Sequence, residues 1–465
     1  MVEKHRTVAD VPHAVVEPDR IPSVRYYSSE FYELEVRRFW PRVWQMACRL
    51  EEIPEVGDYV EYANAGQSVV VVRVDESTVK AFENACRHRG VPLVEDRGNC
   101  RTGFVCPFHG WCYDLNGRNT YVYDPSLFAD RNLAADDLRL REVRLETWGG
   151  CAFVNFDKDA PSLRDSLEPF SSTMDHFNVA EMHAEWWYSI ELPANWKLCM
   201  EAFMEGYHVK DTHPQLVPSA GPSPTYVPGG QRGALRPGNG ARPQSSRDFI
   251  DSQLAFMRAM SIGMGGMIHQ NEVRVAESLQ GIELPEDPDL ASQEWRKRLY
   301  DALAEWGRAN RVAMPDLNAL AAKGIYGGVF FGFPHFFLLP VYGSAASYRF
   351  RPLAPEKTLM EIWSLTLLPE GAKPPRLSTP VPMSADDERW PLIPKQDFSN
   401  LQMQQRGLRT RGFEFMRLSE KVEGMISNYQ RLIDGYLAGY DYDVLLEASQ
   451  KVSGRIDAKI ADLNL

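Results

Sequence analysis

Short runs of β-branched residues, separated by turn residues, mark the part of the chain between residues 45 and 160. The runs include D-Y-V-E-Y, S-V-V-V-V-R-V and T-V-K-A-F, and the turns include N-A-G-Q, D-E-S and L-N-G. Brief strands broken by such turns are typical of an antiparallel sheet. The pattern therefore predicts a small antiparallel β domain over residues 45–160.

The first 44 residues follow a different pattern. Residues 1–27 show no period and contain three prolines, so we expect irregular structure there. Two serines then precede E-F-Y-E-L-E-V-R-R-F-W, whose apolar residues recur at helical spacing. Serine is a common first residue of a helix, and Pro41 is expected to end this one. We predict that residues 1–44 form an N-terminal helical segment packed on the larger C-terminal domain.

From residue 161 onward, helical and strand patterns are mixed. Two helices are predicted over residues 245–313, from S-R-D-F-I-D-S-Q-L-A-F-M-R-A-M and S-Q-E-W-R-K-R-L-Y-D-A-L-A-E-W-G. Three neighbouring strands follow, in F-F-G-F-P-H-F-F-L-L-P, A-S-Y-R-F-R-P and L-M-E-I-W-S-L-T-L-L, and then helix from about Asn400. A Pro/Gly/Ser-rich stretch at 218–243 predicts a mobile loop or a lid. The pattern predicts a larger α+β domain over residues 161–465.

Composition and charge exclude several classes of protein. The chain has 465 residues and a formal net charge of −12, which argues against a general nucleic-acid binder. It has no run of 18 apolar residues, so we expect no transmembrane helix. The start, M-V-E-K-H-R-T-V-A-D, lacks the apolar core of a signal peptide, so we expect a cytoplasmic protein. The seven cysteines, an odd number in a long chain, argue against a disulfide framework.

Two short motifs in the β domain carry candidate metal ligands. Cys86-x-His88 follows the strand T-V-K-A-F-E-N, and Cys106-x-x-His109 follows T-G-F-V. Zinc sites with two Cys and two His usually pair like residues, in the order C-x2–4-C and H-x3–5-H. A Rieske [2Fe–2S] centre instead holds one iron by two Cys and the other by two His. Because each loop here can give one ligand to each iron, the arrangement favours the cluster over structural zinc.

A second candidate site lies in N-W-K-L-C-M-E-A-F-M-E-G-Y-H-V-K-D-T-H-P. His208 and His213 are five residues apart, and Glu205 comes three residues before the first. Two His and one carboxylate form the facial triad of non-heme Fe(II) oxygenases, which leaves positions open for O2. On a regular helix the two histidines would point about 140° apart, so the helix must break shortly before Pro214. Four other histidines lack ligand context and are expected to be structural: His176, His183, His269 and His335.

The motifs C-R-H-R-G and C-P-F-H-G-W, with the histidine pair downstream, give the chain a family resemblance. It resembles the α (large) subunit of the oxygenase component of Rieske non-heme iron ring-hydroxylating oxygenases over nearly its whole length. The resemblance implies an α+β fold, with a small antiparallel β Rieske [2Fe–2S] domain and a larger helix-grip (START-like) catalytic domain with a central antiparallel sheet. It implies two cofactors, a [2Fe–2S] Rieske cluster and a mononuclear Fe(II). Cytochrome bc-type Rieske proteins carry an extra Cys on each loop, whereas the matching residues here are Val91 and Phe108.

The resemblance also implies which residues bind the metals. It assigns the cluster to both Cys/His motifs, and the mononuclear iron to His208, His213 and an Asp in a C-terminal D-x7-Q-x-G-L segment. The stretch D-F-S-N-L-Q-M-Q-Q-R-G-L fits, so Asp397 is the expected third ligand. Other acidic residues nearby lie in a Pro-rich loop without that context: Asp386, Asp387 and Glu388. Glu205 matches an acidic residue that links two subunits in the family. The implied electron route runs from His109 of a neighbouring subunit through Glu205 to His208.

These features imply a terminal oxygenase component that uses O2 to hydroxylate an aromatic or other apolar ring substrate. The chain lacks G-x-G-x-x-G after a strand, so we expect electrons from a separate ferredoxin or flavin reductase rather than from bound NAD(P)H. Arginines crowd the cluster loops and form a candidate docking patch for an acidic donor: Arg87, Arg89, Arg97 and Arg101. The family's geometry implies a homotrimer, with a separate β subunit left open, and no nucleic-acid or membrane partner.

Two departures from the family pattern leave the reaction open. Many arene-dihydroxylating members have G-D-x-Y-H where this chain has M-E-G-Y-H, and E-N-F where it has Glu201-Ala202-Phe203. A Rieske monooxygenase, or an O- or N-demethylase that releases formaldehyde, is therefore the alternative. Two other classes compete: an electron-transfer Rieske protein with a degenerate second domain, and a zinc-stabilised module that binds an apolar ligand without chemistry.

Overall fold

The chain forms two compact units, seen in a computed structural model. The structure describes residues 7–213, 216, 223–227, 231–236, 245–263, 266–377, 379–456 and 458–465. The smaller unit spans residues 33–166, and the larger one comprises the described residues of 1–32 and 167–465. Among the described residues, no helix is long and apolar enough to cross a membrane.

Antiparallel sheets form the smaller unit. A seven-stranded sheet contains, in spatial order, Gln45–Arg49, Cys151–Asn155, Glu142–Trp148, Val79–Glu83, Gln67–Arg73, Asp58–Asn64 and Arg97–Asn99. A three-stranded sheet contains Gly103–Val105, Cys112–Asp114 and Asn119–Tyr121. The predicted antiparallel β architecture is confirmed, and each Cys/His motif follows the strand that the sequence assigns to it.

The run of four valines in the strand Gln67–Arg73 shows how this unit builds its core. Val69 and Val71 pack into one hydrophobic cluster, and Val70 and Val72 pack into another. Successive strand residues point to opposite faces, so an unbroken apolar run indicates burial on both sides. The cluster that contains Val70 and Val72 also contains the cysteines of both Cys/His motifs, so the two loops rest on a packed core.

A second seven-stranded sheet is central to the larger unit. Its strands are, in spatial order, Val381–Pro382, Met182–Leu192, Lys357–Leu367, Ser344–Ala354, Phe336–Pro340, Phe330–Gly332 and Gly454–Arg455. Neighbouring strands are antiparallel, except that the short edge strand Val381–Pro382 runs parallel to its neighbour. The predicted α+β class with a central antiparallel sheet is confirmed.

The α-helices differ in extent from the predicted ones. They are Ser29–Arg38, Ala135–Leu138, Leu163–Leu167, Phe170–Asp175, Trp196–Glu201, Val209–Thr212, Ser246–Gly263, Gln270–Glu277, Pro288–Asn310, Leu317–Ala322, Leu392–Leu408, Gly424–Ala438 and Tyr442–Val452. The helix predicted after the two serines is present and ends before Pro41. Over residues 245–313 there are three helices where the sequence predicts two.

The additional helix, Gln270–Glu277, begins at an unusual cap. The His269 side chain accepts a hydrogen bond from the Asn271 N–H, and Glu272 accepts one from the His269 N–H. Serine, threonine, aspartate and asparagine are the residues that usually mark a helix start. Because histidine takes that place here, the sequence gives no start signal, and the predicted structural role of His269 is to cap a helix.

Three further expectations need correction. The first of the three predicted strands is a hairpin, Phe330–Gly332 with Phe336–Pro340, because the chain turns between its two Phe pairs. The C-terminal segment is not all helix, and its strand Phe415–Arg417 pairs with Arg20–Pro22, a strand in the segment predicted to be irregular. Within the predicted loop 218–243, the described residues form two antiparallel strands, Ser223–Val227 and Gln231–Arg236. The rest of that stretch, and Pro214, lie outside the described residues.

Candidate metal centres

Two loops of the same construction carry the Cys/His motifs. In the first, the Cys86 N–H donates to the Val91 carbonyl at 2.8 Å, and the Gly90 N–H donates to the Cys86 carbonyl at 2.9 Å. The same pair of bonds closes the second loop, at 2.8 and 3.0 Å, between Cys106, Trp111 and Gly110. Both glycines are left-handed, with φ of +77° and +70°, a conformation that glycine adopts at little cost. Each loop thus turns within five residues and presents one Cys and one His.

The side chains of the two motifs are arranged for a shared metal group. The rings of His88 and His109 lie 4.5 Å apart between centroids, and His88 stacks on Trp111 at 4.8 Å. The Nδ1 atom of His88 is buried and has no hydrogen-bond partner among the described residues. Burial, with the nearby His109 and Arg89, lowers the pKa of His88, which favours the neutral ring that binds metal. A buried ring nitrogen without a hydrogen-bond partner among the described residues fits a metal-bound cluster.

The spacing of these donors also bears on the zinc alternative. In the described part of the chain, one group of Cys, His, Asp or Glu residues brings three ligand atoms within 4.8 Å of one another, and it lies in the larger unit. The four Cys/His donors are therefore not gathered around a single ion, as a tetrahedral zinc site requires. A two-iron cluster needs no such gathering, because it divides its ligands between two metal atoms.

The structure also places the cysteines and arginines near the two motifs. All seven cysteines are free. The two positions that are Cys in cytochrome bc-type proteins are Val91 and Phe108 here. The half-buried Cys100 contacts the Gly57 carbonyl, and burial raises the pKa of its thiol to about 11. Among the four arginines, Arg97 pairs with Glu52 at 2.9 Å, whereas the others are exposed: Arg87, Arg89 and Arg101. The candidate docking patch therefore has three exposed members.

The second site is built where a helix is interrupted. After the helix Trp196–Glu201 the chain leaves helical geometry, and a single helical turn, Val209–Thr212, follows. His208 precedes that turn, and His213 follows it with φ of −121° and ψ of 57°. The helix thus ends between the two histidines, as their spacing requires if both are to reach one ion. Asp397 lies on another helix, Leu392–Leu408, and is buried.

The structure brings the predicted triad together. The ligand atoms of His208, His213 and Asp397 all lie within 4.8 Å of one another. Asp397 Oδ1 is 3.0 Å from His213 Nε2 and 3.8 Å from His208 Nε2. These separations match donors on one face of a single ion, and the donor set of two His and one carboxylate suits Fe(II) with open positions.

A hydrogen-bond partner orients each histidine of the triad. His208 Nδ1 lies 2.5 Å from Glu205 Oε1, and His213 Nδ1 lies 2.8 Å from Gln396 Oε1. Both partners are acceptors, so each ring carries its proton on Nδ1 and leaves Nε2 free to bind metal. Gln396 was not among the residues predicted from the sequence. Its position beside Asp397 was the available signal, because a residue next to a ligand often faces the same site.

Electrostatics differ between the two histidines. Burial acts to lower the pKa of His208, but the hydrogen bond and charge of Glu205, with the charge of Asp397, raise it above its ordinary value. The side chain of His208 is 26% exposed, whereas those of His213 and Asp397 are 3% and 4% exposed. The competing Asp387 is bound to Arg389, and neither Asp386 nor Glu388 joins the triad.

Comparison with known proteins identifies the family. Residues 179–439, more than half of the chain, match the family model "Ring hydroxylating alpha subunit (catalytic domain)". The chain belongs to this family of ring-hydroxylating oxygenase α subunits. Residues 43–127 match the model "Rieske [2Fe-2S] domain". Both predicted cofactors, the Rieske cluster and the mononuclear iron of the catalytic domain, are thereby confirmed.

Curated relatives include both dioxygenases and monooxygenases. The α subunit of 2-aminobenzenesulfonate 2,3-dioxygenase from Alcaligenes sp is 35% identical over 186 residues, or 39% of this chain and 47% of that protein. The oxygenase subunit of glycine betaine monooxygenase from Pseudomonas aeruginosa is 31% identical over 202 residues, or 42% and 45%. That of carnitine monooxygenase from Escherichia coli is 29% identical over 196 residues, or 42% and 52%. The match thus spans about half the length of each relative.

Solved structures share the fold over almost the whole chain. Naphthalene 1,2-dioxygenase with bound indole superposes with a TM-score of 0.61 at 19% identity, covering 93% of this chain and 94% of that one. The apo form of a quaternary ammonium Rieske monooxygenase superposes with a TM-score of 0.57 at 18% identity, covering 90% and 96%. At this identity the likeness shows the fold alone.

Proposed function

We propose that the protein is the terminal oxygenase component of a multicomponent Rieske oxygenase. In this proposal Cys86, His88, Cys106 and His109 hold the [2Fe–2S] cluster, and the facial triad of His208, His213 and Asp397 holds Fe(II). The observation that carries the proposal is the convergence of these three side chains, with both histidines hydrogen-bonded so that Nε2 faces Asp397. An electron-transfer protein without oxygenase chemistry has no use for such a site.

Each residue around the iron site has a distinct task in this mechanism. When bound, the cluster supplies single electrons and Fe(II) supplies open positions for O2. Glu205 keeps the proton of His208 on Nδ1 and is the proposed link to His109 of a neighbouring subunit. Gln396 fixes the ring of His213 in the same way, from a partly buried position. Asp397 offsets part of the metal charge and, being buried, is held in one place by its helix.

The proposed reaction is hydroxylation of an aromatic or other apolar ring substrate. A monooxygenase or demethylase is the second candidate, and two observations favour it. Glu205 stands where many arene-dihydroxylating members carry Asp, and several curated relatives are named monooxygenases of glycine betaine or carnitine. We therefore extend the proposed substrates to small N-methylated and acidic molecules, of the kind that these relatives are named for.

The partners and the organisation of the chain also belong to the proposal. Electrons come from a ferredoxin or flavin reductase, which docks at the exposed arginines beside the cluster. The proposed active form is a homotrimer, as the family resemblance implies, and it would supply the second subunit that the electron route needs. Residues 45–160 are the Rieske domain and residues 161–465 the catalytic domain, with residues 1–44 as an N-terminal segment on the latter. Location in the cytoplasm, and a role in aromatic compound catabolism, complete the proposal.

A peroxide-driven turnover screen tests the function, since peroxide replaces both O2 and the electron donor. The metal-loaded protein is incubated with arenes, aromatic acids including 2-aminobenzenesulfonate, methoxyarenes, and N-methylated compounds including glycine betaine and carnitine. A mass gain of two oxygens and two hydrogens indicates cis-dihydroxylation. A mass loss of one methylene with formaldehyde indicates demethylation. No product from any compound, with full iron loading, would contradict the proposal.

A further inference from the structure

One tyrosine of the central sheet stands out by its position. Tyr348 lies in the middle of the strand Ser344–Ala354, directly opposite Ile362, which in turn lies opposite Tyr188. Residues paired across strands project from the same face of a sheet. The three side chains therefore form one row across three strands.

This row faces the helix that carries the iron ligand Asp397. The ring of Tyr188 packs edge-on against Trp390, with centroids 5.7 Å apart, and Trp390 packs against Phe398 at 5.0 Å. Phe398 is the residue after Asp397 on the helix Leu392–Leu408. The sheet face that bears Tyr348 is thus the one turned toward the iron site.

The hydroxyl of Tyr348 has no partner in the part of the chain that the structure describes. The side chain is fully buried, and its Oη makes no hydrogen bond among the described residues. Its ring packs edge-on against Phe203, at 5.0 Å between centroids, two residues before Glu205. A buried polar group without a partner is costly, so a protein that keeps one usually has a use for it.

The hydroxyl is also held as a donor. Burial, and then the negative charge of Asp397, raise the pKa of Tyr348, so its proton stays in place at neutral pH. The interaction with Asp397 places the phenol within electrostatic reach of the iron site. Its neighbours Phe203 and Ile362 are apolar, so the O–H lies in apolar surroundings on this side of the sheet.

We infer that Tyr348 is a substrate-binding residue, whose O–H donates a hydrogen bond to a carboxylate or sulfonate oxygen of the substrate. This inference rests on the proposed function and narrows its substrate class to small organic acids. Fe(II) with two neutral histidines and one carboxylate has a net charge of +1, which favours an anion nearby. Hydrogen bonds to charged acceptors are the strong ones, and an apolar wall strengthens them further.

Calorimetric titration of the metal-loaded protein without O2 tests this assignment. Two pairs of probes differ only in the acidic group: 2-aminobenzenesulfonate against aniline, and glycine betaine against tetramethylammonium. The variants are Tyr348→Phe and, as a control, Tyr62→Phe, whose buried hydroxyl donates to Gln45 in the smaller unit at 3.3 Å. The wild type should bind at least one acid more than about tenfold more tightly than the partner that lacks the acidic group. Tyr348→Phe should weaken the binding of that acid by about tenfold, equivalent to about 1.4 kcal/mol, and leave the binding of its partner unchanged, whereas Tyr62→Phe should change neither.

Two outcomes would overturn the inference. One is wild-type protein that binds the acid and the partner without the acidic group equally, including no measurable binding of either. The other is Tyr348→Phe protein that still prefers the acid by the wild-type factor. The melting temperature of Tyr348→Phe should not fall, because the variant loses an unpaired hydroxyl, so a change in binding is separable from misfolding. Product from any compound in the peroxide screen would leave the oxygenase function standing when this inference fails.

Discussion

The hydrogen bond between Glu205 and His208 offers a direct test of the proposed electron route. Glu205→Gln keeps the length of the side chain and one acceptor oxygen but removes the negative charge. In the wild type, the Glu205 carboxylate also accepts hydrogen bonds from the backbone N–H groups of Tyr207 and His208. The remaining oxygen of Gln can accept them as well, so the local turn should persist in the variant. The expected result is a protein that holds both metals and carries out peroxide-driven chemistry, but passes electrons slowly.

The size of the two effects follows from the geometry. A hydrogen bond of 2.5 Å to a carboxylate contributes roughly 1.5–3 kcal/mol, against about 1 kcal/mol for a neutral acceptor. Replacing it should weaken iron binding by about tenfold, within the 10- to 100-fold range typical of changes at a ligand's hydrogen-bond partner. Electron transfer should fall further, on the order of 100-fold, because the link between subunits loses both its charge and its proton-accepting oxygen.

Stopped-flow absorption measures the transfer step without a partner protein. The metal-loaded enzyme is reduced chemically, mixed with O2 and a substrate from the screen, and followed as the cluster reoxidises. Gln396→Ala is the matched control, since it disturbs His213 in the same way but lies off the route. Its reoxidation per bound iron should match the wild type. Reoxidation of Glu205→Gln at the wild-type rate would refute the route.

Three other predictions follow from the two sites and the buried core. Asp397→Ala should lose the mononuclear iron and keep the cluster, so elemental analysis should give about two irons per chain instead of about three. Cys86→Ser should abolish the cluster's visible absorption, whereas Cys100→Ser should retain it; the opposite pattern would contradict the ligand assignment. Burial raises the pKa of Glu201 from 4.5 to about 7. The folded state then holds this proton more tightly, so the free energy of unfolding should decline by roughly 3 kcal/mol as pH rises through that range. Denaturant titrations at pH 5 and pH 8 measure this decline, and Glu201→Gln should remove it. A decline of the same size in the variant would contradict the prediction.

The sequence was sufficient to predict candidate ligands because their chemistry leaves few alternatives. Cys and His on two turn-forming loops have distinctive spacing, and the loops fold through local hydrogen bonds that need no distant partner. The triad was harder, since Asp397 lies 184 residues after His213 and local periodicity cannot bring them together. A motif that surrounds Asp397 supplied that link. Gln405 belongs to the same motif and has a structural role. Its side chain accepts a hydrogen bond from the Asn195 N–H and so links the helix Leu392–Leu408 to the start of the helix Trp196–Glu201.

Other parts of the structure could not be predicted from the sequence pattern. The helix cap at His269 uses a residue that rarely serves this purpose, and the strand Arg20–Pro22 exists only because Phe415–Arg417 reaches it from the far end of the chain. The sequence around Tyr348 predicts only an ordinary tyrosine in a strand. Its missing hydrogen-bond partner is a property of the packed environment, which a sequence pattern of period two does not report.

The different partners of the two histidines have a physical reason. His213 is buried beside the buried Asp397, so a carboxylate in place of Gln396 would put a second negative charge in a site that water barely reaches. An amide orients the ring without that cost. His208 is more exposed, and the side chain of Glu205 is 11% exposed, so a charge is tolerated there. The charged, proton-accepting partner thus lies on the more exposed of the two histidines, which is the one on the proposed electron route. The double variant Glu205→Gln with Gln396→Glu, which exchanges the two partners, should therefore reduce iron binding by more than the two single substitutions together.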